Sequence, residues 1–249
     1  MTTTITGHVS YEEFLATKAR RHQSSGVTVP ADQVHKSLHP WQRRIVLTAL
    51  ARGRSAVFAD TGLGKTRMQI EWARLTAARS LIIAPLSVAR QTVREAGKIG
   101  ADVRYVRHPD QVVPGTVSIT NYEIAGHFDP ADFDAVALDE SSILKNFTGA
   151  TRTALIDQWR HTPFRSSWSA TPAPNDVTEL CNQAEFLGVC TRVEMLATYF
   201  NHNSGDTSDT FKASMYGDSS SSARIHGAAG SYDMLTITGG TGAGVESHQ

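Results

Sequence analysis

A lysine and a hydroxyl residue stand directly behind a glycine-rich turn, Asp60-Thr61-Gly62-Leu63-Gly64-Lys65-Thr66, and their types and spacing suit them to grip nucleotide phosphates. Small residues let the main-chain N–H groups of Thr61, Gly62, Leu63 and Gly64 approach an anion. Lys65 supplies positive charge, and the Thr66 hydroxyl can ligate Mg²⁺ at a helix N-terminus. Ala59 stands where such loops usually open with glycine. The substitution costs little, because a strand-end residue needs no positive φ, whereas positions 62 and 64 form the tight part of the turn. The competing reading is a surface turn that carries Gly-Lys-Thr by chance. An apolar run before the loop, 55–58, and a helix-like run after it, 68–73, favour the phosphate site.

Two adjacent carboxylates come next, at the end of the apolar run Ala135-Val136-Ala137-Leu138-Asp139-Glu140. Beside a phosphate loop, Asp139 is placed to hold Mg²⁺ and Glu140 to orient and deprotonate an attacking water. Neighbours on a strand face opposite ways, so both reach one site only where the chain turns at the strand's end. The alternative is an acidic helix cap, Asp-Glu-Ser-Ser. A third group, Ser169-Ala170-Thr171-Pro172, offers hydroxyls at another strand's end, with Pro172 and Pro174 stiffening the exit. Ser169 and Thr171 are suited to sense the state of the phosphate site, although such a run by itself is only a turn.

These residues need elements to position them, and the hydrophobic pattern predicts β-α repeats. Strands are expected at 81–84, 102–106, 117–120, 135–138 and 166–170, and helices at 87–99, 151–159, 177–187 and 193–200. Strands that are apolar on both faces imply a mainly parallel sheet covered by helices on each side, and hence an α/β fold. In such sheets ligands bind at the carboxyl ends of the strands, where Thr61, Asp139 and Thr171 all fall. Before this region lies a polar, basic lead-in over 1–35, with a short helix at 11–16 and a linker at 24–30. After it, 201–249 lacks proline and tryptophan, is rich in Gly and Ser, and reads as a weakly structured tail. The glycine cluster at 239–244 lacks a following Lys-Ser/Thr, so a second phosphate loop is not expected there.

With 249 residues, 40% of them apolar and 19% charged, the chain can bury a proper core. No apolar run approaches the ~20 residues of a membrane span, and residues 1–7 are too polar for a signal peptide. A cytoplasmic protein without a membrane partner is expected. Cys181 and Cys190 read as reduced thiols, and metal-binding Cys/His spacings are absent. The net charge of zero hides a tail of −3 and a remainder of +3, a weak bias toward a polyanion that solvated helix faces also explain.

In their order, these motifs resemble those of the superfamily-two helicases and translocases, most closely the phage-type branch related to the Swi/Snf chromatin-remodelling ATPases. Asp60 to Thr66 is similar to motif I, Ile83-Ala84-Pro85-Leu86-Ser87-Val88 to motif Ia, and Ile119-Thr120-Asn121-Tyr122-Glu123 to the motif that touches the DNA backbone. Asp139-Glu140-Ser141-Ser142-Ile143-Leu144-Lys145-Asn146 is similar to motif II, and Ser169-Ala170-Thr171-Pro172 to motif III. The resemblance covers about 36–200 and implies a RecA-like first motor domain that uses ATP and Mg²⁺, with DNA as partner. It also implies that Gln42, in Leu38-His39-Pro40-Trp41-Gln42, reads adenine. DNA contacts would come from Pro85, Ser87, Arg90, Thr120 and Asn121, with Arg90 equally readable as a solvated helix residue.

Motors of this family complete the ATP site with an arginine from a second RecA-like domain, and 201–249 contains no such motif. The expectation is therefore an incomplete motor, truncated or frameshifted after about 200, that binds ATP and needs a second domain in cis or in trans. Replication or recombination proteins are further expected partners. The alternative is a nucleotide-dependent DNA- or protein-binding module that never cycles. A small-molecule kinase would need lid arginines, and the Asp139-Glu140 pair argues for water as acceptor instead.

Overall fold

The computed structural model describes residues 25–146, 149–172, 179–201, 210–211 and 234–237. Six strands, β1 (Arg54–Ala59), β2 (Ser80–Ala84), β3 (Val103–Tyr105), β4 (Val117–Asn121), β5 (Ala135–Asp139) and β6 (Phe164–Ser169), form one all-parallel sheet in the order β3-β4-β2-β5-β6-β1. The helices are α1 (Pro40–Arg52), α2 (Lys65–Thr76), α3 (Leu86–Lys98), α4 (Gly149–Gln158), α5 (Leu180–Leu187) and α6 (Arg192–Tyr199). This is the α/β fold that the β-α pattern predicts, with boundaries shifted by one to three residues.

Strands β2, β4 and β5 are buried at every position, β2 and β5 with mainly apolar residues and β4 with Ser118, Thr120 and Asn121 among them, and the pleat deals alternate side chains to two cores. Val57, Ala59, Ile82, Ala84 and Ala137 join Ile45, Val46, Leu50, Met68 and Trp72 from α1 and α2 on one face. Phe58, Leu81, Ile83, Val136 and Leu138 join Leu155, Ile156, Phe186 and Leu187 from α4 and α5 on the other. Each face is thereby closed by helices, which leaves the C-terminal edge of the sheet as the open end. Among the described residues, no helix is long and apolar enough to cross a membrane. Neither cysteine is in a disulfide; Cys181 is buried, and burial pushes the half-buried Cys190 thiol up to about 11.

Two segments differ from expectation. The linker at 24–30 is part of the fold over its described residues. Val27 and Val29 pack on the first core, Val34 is fully buried, and the Val27 N–H donates to Leu50 O at 2.9 Å, using a carbonyl at the end of α1. Residues before 36 therefore contribute to this core, because the valines of the segment bury against α1 despite its polar composition. Gly26 passes so close to α1 that a Cβ would lie 2.0 Å from Leu50 O. Gly26→Ala is accordingly expected to lower stability by about 1–3 kcal/mol, since main chain must shift to admit the methyl group. A urea unfolding curve measures this, and an unchanged midpoint would show that the segment does not pack.

The second difference lies in the tail. Strand β7 (Phe200–Asn201) pairs antiparallel with β8 (Thr210–Phe211), and β9 (Met234–Ile237) adds to the sheet parallel to β1, with Val57 opposite Leu235. A β-branched and apolar tetrapeptide suits the open edge of β1. The rest of the expected weakly structured tail, the helix at 11–16 and the first residues of the helix at 177–187 lie outside the described residues.

Candidate functional site

Because the strands are parallel, the turns that follow β1, β2, β4, β5 and β6 all leave from one edge of the sheet. After β1 the chain makes the predicted loop. Gly62 and Gly64 both take left-handed backbones, φ 83° and 77°, as the pattern requires. Gly64 caps α2, accepting from the Arg67 and Met68 N–H groups at 3.1 and 3.2 Å. The N–H groups of Lys65 and Thr66, first in the helix, have no intrahelical acceptor, which is the usual condition of an anion-binding helix start.

Gln42 supports this loop from α1. Its Nε2 donates to Leu63 O at 2.8 Å while its Oε1 accepts from the His39 N–H at 2.8 Å, so one amide both caps α1 and holds the loop. A Cβ at position 64 would come within 2.4 Å of that Nε2. Gln42 is buried, and its amide carries a second N–H beside the one donated to Leu63 O.

The loop and the acidic pair meet. Lys65 Nζ lies 3.0 Å from Glu140 Oε1, joining residues 75 apart in sequence. Asp139 beside it is 2% exposed. Burial raises its carboxyl to about 6; Lys65 opposes the rise, Glu140 adds to it, and the Glu140 N–H donating to Oδ1 at 3.0 Å opposes it again. Two carboxylates and one ammonium are thus concentrated at the end of β5 beside the glycine loop.

Glu140 has φ 47°, a left-handed backbone that costs an L-residue roughly 1–2 kcal/mol. Its neighbours are pinned on both sides. The buried Tyr122 hydroxyl donates to Asp139 O at 2.9 Å, and burial holds that phenol well above its ordinary pKa, keeping it a donor. The Ser141 hydroxyl meets Gln183 Oε1 at 3.2 Å and Ser167 Oγ at 2.8 Å. Sequence reasoning missed Ser167 and Gln183, and it gave Tyr122 and Ser141 no role of their own. No local signal marks these four, because their partners lie on other strands and helices.

The remaining expected site residues divide between surface and interior. Ser169 is fully buried and its Oγ accepts from the Thr171 N–H at 3.1 Å, while Thr171 is exposed above it. Ser87 and Arg90 are exposed on the first turns of α3, and the half-buried Pro85 caps that helix. Thr120 and Asn121, also expected at the DNA contact, are buried rather than exposed on this surface. The Thr120 hydroxyl donates to Val106 O at 2.9 Å, and Asn121 accepts from Tyr105 Oη at 2.5 Å while donating to Glu123. Strand β4 lies inside the sheet, so both residues are covered by β3 and the chain that follows it.

No protein-family model matches the chain, and no curated protein matches it in sequence. Among solved structures, it is similar to the SWI2/SNF2 ATPase core of Sulfolobus solfataricus, solved in complex with double-stranded DNA. The identity is 18%, the TM-score 0.57, and the match covers 70% of this chain and 41% of that one. The UvsW helicase of bacteriophage T4 matches at 15% identity and TM-score 0.48, over 73% of this chain and 66% of that one. The Hef helicase domain of Pyrococcus furiosus matches at 14% and 0.47, over 65% and 39%. The chain thus spans less than two thirds of the length of each of these structures. It shares the α/β RecA-like fold found in the SWI2/SNF2 ATPase core.

Proposed function

We propose that this chain is the ATP-binding motor domain of a DNA-dependent ATPase of the helicase or translocase type. The observation that carries the reading is the meeting of Lys65 with Glu140 beside the buried Asp139, at the end of the sheet where the glycine loop opens. The residues fit Mg²⁺-ATP. Gly62 leaves its side of the loop open, with nothing within 4 Å of where a Cβ would stand, and two N–H groups at the start of α2 are free of helix acceptors. A carboxyl that burial raises to about 6 gains from a nearby cation, which favours its charged form.

When bound, Mg²⁺-ATP supplies the phosphoanhydride bond and the metal's charge. The chain's own residues do the rest. Lys65 would hold phosphate oxygens, Thr66 and Asp139 would hold the metal, and the Glu140 carboxylate would serve as the base for an attacking water. Gln42 offers its remaining amide hydrogen to adenine. Ser169 and Thr171 relay the state of the site to bound DNA, which rests against Pro85, Ser87 and Arg90. A second RecA-like domain, in cis or in trans, contributes the arginine that completes hydrolysis, and replication or recombination proteins are the setting for such a motor.

The test is an ATP titration of the 249-residue chain with Mg²⁺, followed by phosphate release with and without DNA and with a second RecA-like domain added. Saturable, Mg²⁺-dependent binding is expected, with slow turnover that the added domain raises by about 10³-fold or more. Absence of ATP binding would overturn the reading. Binding without turnover under every condition would favour a nucleotide-dependent binding module.

A further inference from the structure

Gln183 belongs to none of the motifs above, yet it is the junction of the buried polar groups around the acidic turn. It sits on α5 among Leu180, Cys181, Phe186 and Leu187, where an amide is costly unless both of its ends are bonded. Both are. Its Oε1 accepts from the Ser167 hydroxyl at 2.6 Å and the Ser141 hydroxyl at 3.2 Å, and its Nε2 donates to Pro172 O at 3.1 Å. Ser167 Oγ also lies 2.8 Å from Ser141 Oγ, so three side chains, each at most 3% exposed, share one buried cluster. One arm of this cluster ends on the residue after Glu140. The other ends on the loop that carries Thr171.

We propose that Gln183 is a positioning residue for Glu140, holding its left-handed turn through Ser141 and tying that turn to the Thr171 loop through the Pro172 carbonyl. Tyr122 pins the opposite side of the turn through Asp139 O. With both neighbours fixed, the backbone of Glu140 stays in a conformation that an L-residue otherwise leaves. The inference rests on reading Asp139-Glu140 as the hydrolytic pair, but the cluster itself can be tested without nucleotide.

The experiment is amide hydrogen exchange on the full chain, comparing wild type with Gln183→Met, which keeps the side chain's length without its bonds, and with Ser141→Ala, which leaves Gln183 and its bond to Pro172 in place. Without nucleotide, both variants are expected to lose protection at Ile143, whose N–H donates to Glu140 O at 2.9 Å, and Gln183→Met also at Thr171. In Ser141→Ala, α5 keeps its protection, which a merely structural defect of that helix would not allow. Unchanged exchange at Ile143 in both variants overturns the proposal. If Gln183→Met does not fold, Ser141→Ala decides by the same criterion. With Mg²⁺ and the slowly hydrolysed analogue ATPγS, wild type is expected to gain protection at 61–66, 140–143 and 169–172, and the variants at 61–66 alone. A wild type that gains none at 61–66 sinks the nucleotide-site reading, while the result at Ile143 still judges Gln183.

Discussion

Lys65→Ala is expected to weaken ATP binding on the order of a hundredfold, the size of one lost charge-assisted contact to phosphate together with an uncompensated carboxylate left at the site. In the structure Lys65 neutralises Glu140 at 3.0 Å and also lowers the Asp139 carboxyl. Without it, two acidic groups face the incoming phosphates with no cation between them. Two consequences can be measured in one set of titrations. Affinity for Mg²⁺-ATP falls, and the pH dependence of binding moves upward, because Asp139 loses the charge that opposes its raised pKa. An affinity within about threefold of wild type would mean that Lys65 serves Glu140 alone and that the loop does not bind phosphate.

Asp139→Asn is expected to act in opposite directions on stability and on binding. Burial raises the folded-state carboxyl to about 6, above the unfolded value of about 3.9. Below the unfolded value the group is protonated in both states and costs nothing. As pH rises from about 4 through 6, the unfolded chain ionises freely in water while the folded chain must hold a desolvated charge, so stability is lost across that window and the loss is complete above it. A rise of this size corresponds to about 3 kcal/mol, so at about pH 7.5 the nucleotide-free Asn variant is expected to be more stable than wild type by roughly that order, and at about pH 4 equal to it. Urea unfolding at the two pH values in EDTA measures the difference. The same variant should lose Mg²⁺-dependent nucleotide binding, since the neutral amide cannot replace the carboxylate on a metal. Equal stability of variant and wild type at the higher pH would show that Asp139 bears no desolvation cost and is not held in wait for a cation.

Sequence and structure agree where the physics is local. Gly62 and Gly64 were legible because only glycine takes the left-handed turns found there, and Lys65 and Thr66 because a helix must start behind them. Strands β2 and β5 were legible as mainly apolar runs, since a parallel sheet buried on both faces favours apolar side chains on each. The placement of Asp139 and Glu140 at a strand's end followed from the same run. The burial of Thr120 did not follow, because a threonine near a strand end reads alike whether the strand lies at the edge of the sheet or inside it. Strand order decides that, and strand order is set by how helices and sheet close two cores at once.

Fold class, glycine loop and acidic pair are all readable in the chain, because they rest on propensity, periodicity or the chemistry of neighbouring residues. What holds them in place comes from long-range contacts. Gln42 reaches Leu63 across 21 positions, Tyr122 reaches Asp139 across 17, and Ser141 reaches Gln183 across 42. Such bonds leave no trace in local composition, because a buried amide or hydroxyl is specified by the one partner the fold brings to it, and that partner is fixed only when the strands take their order.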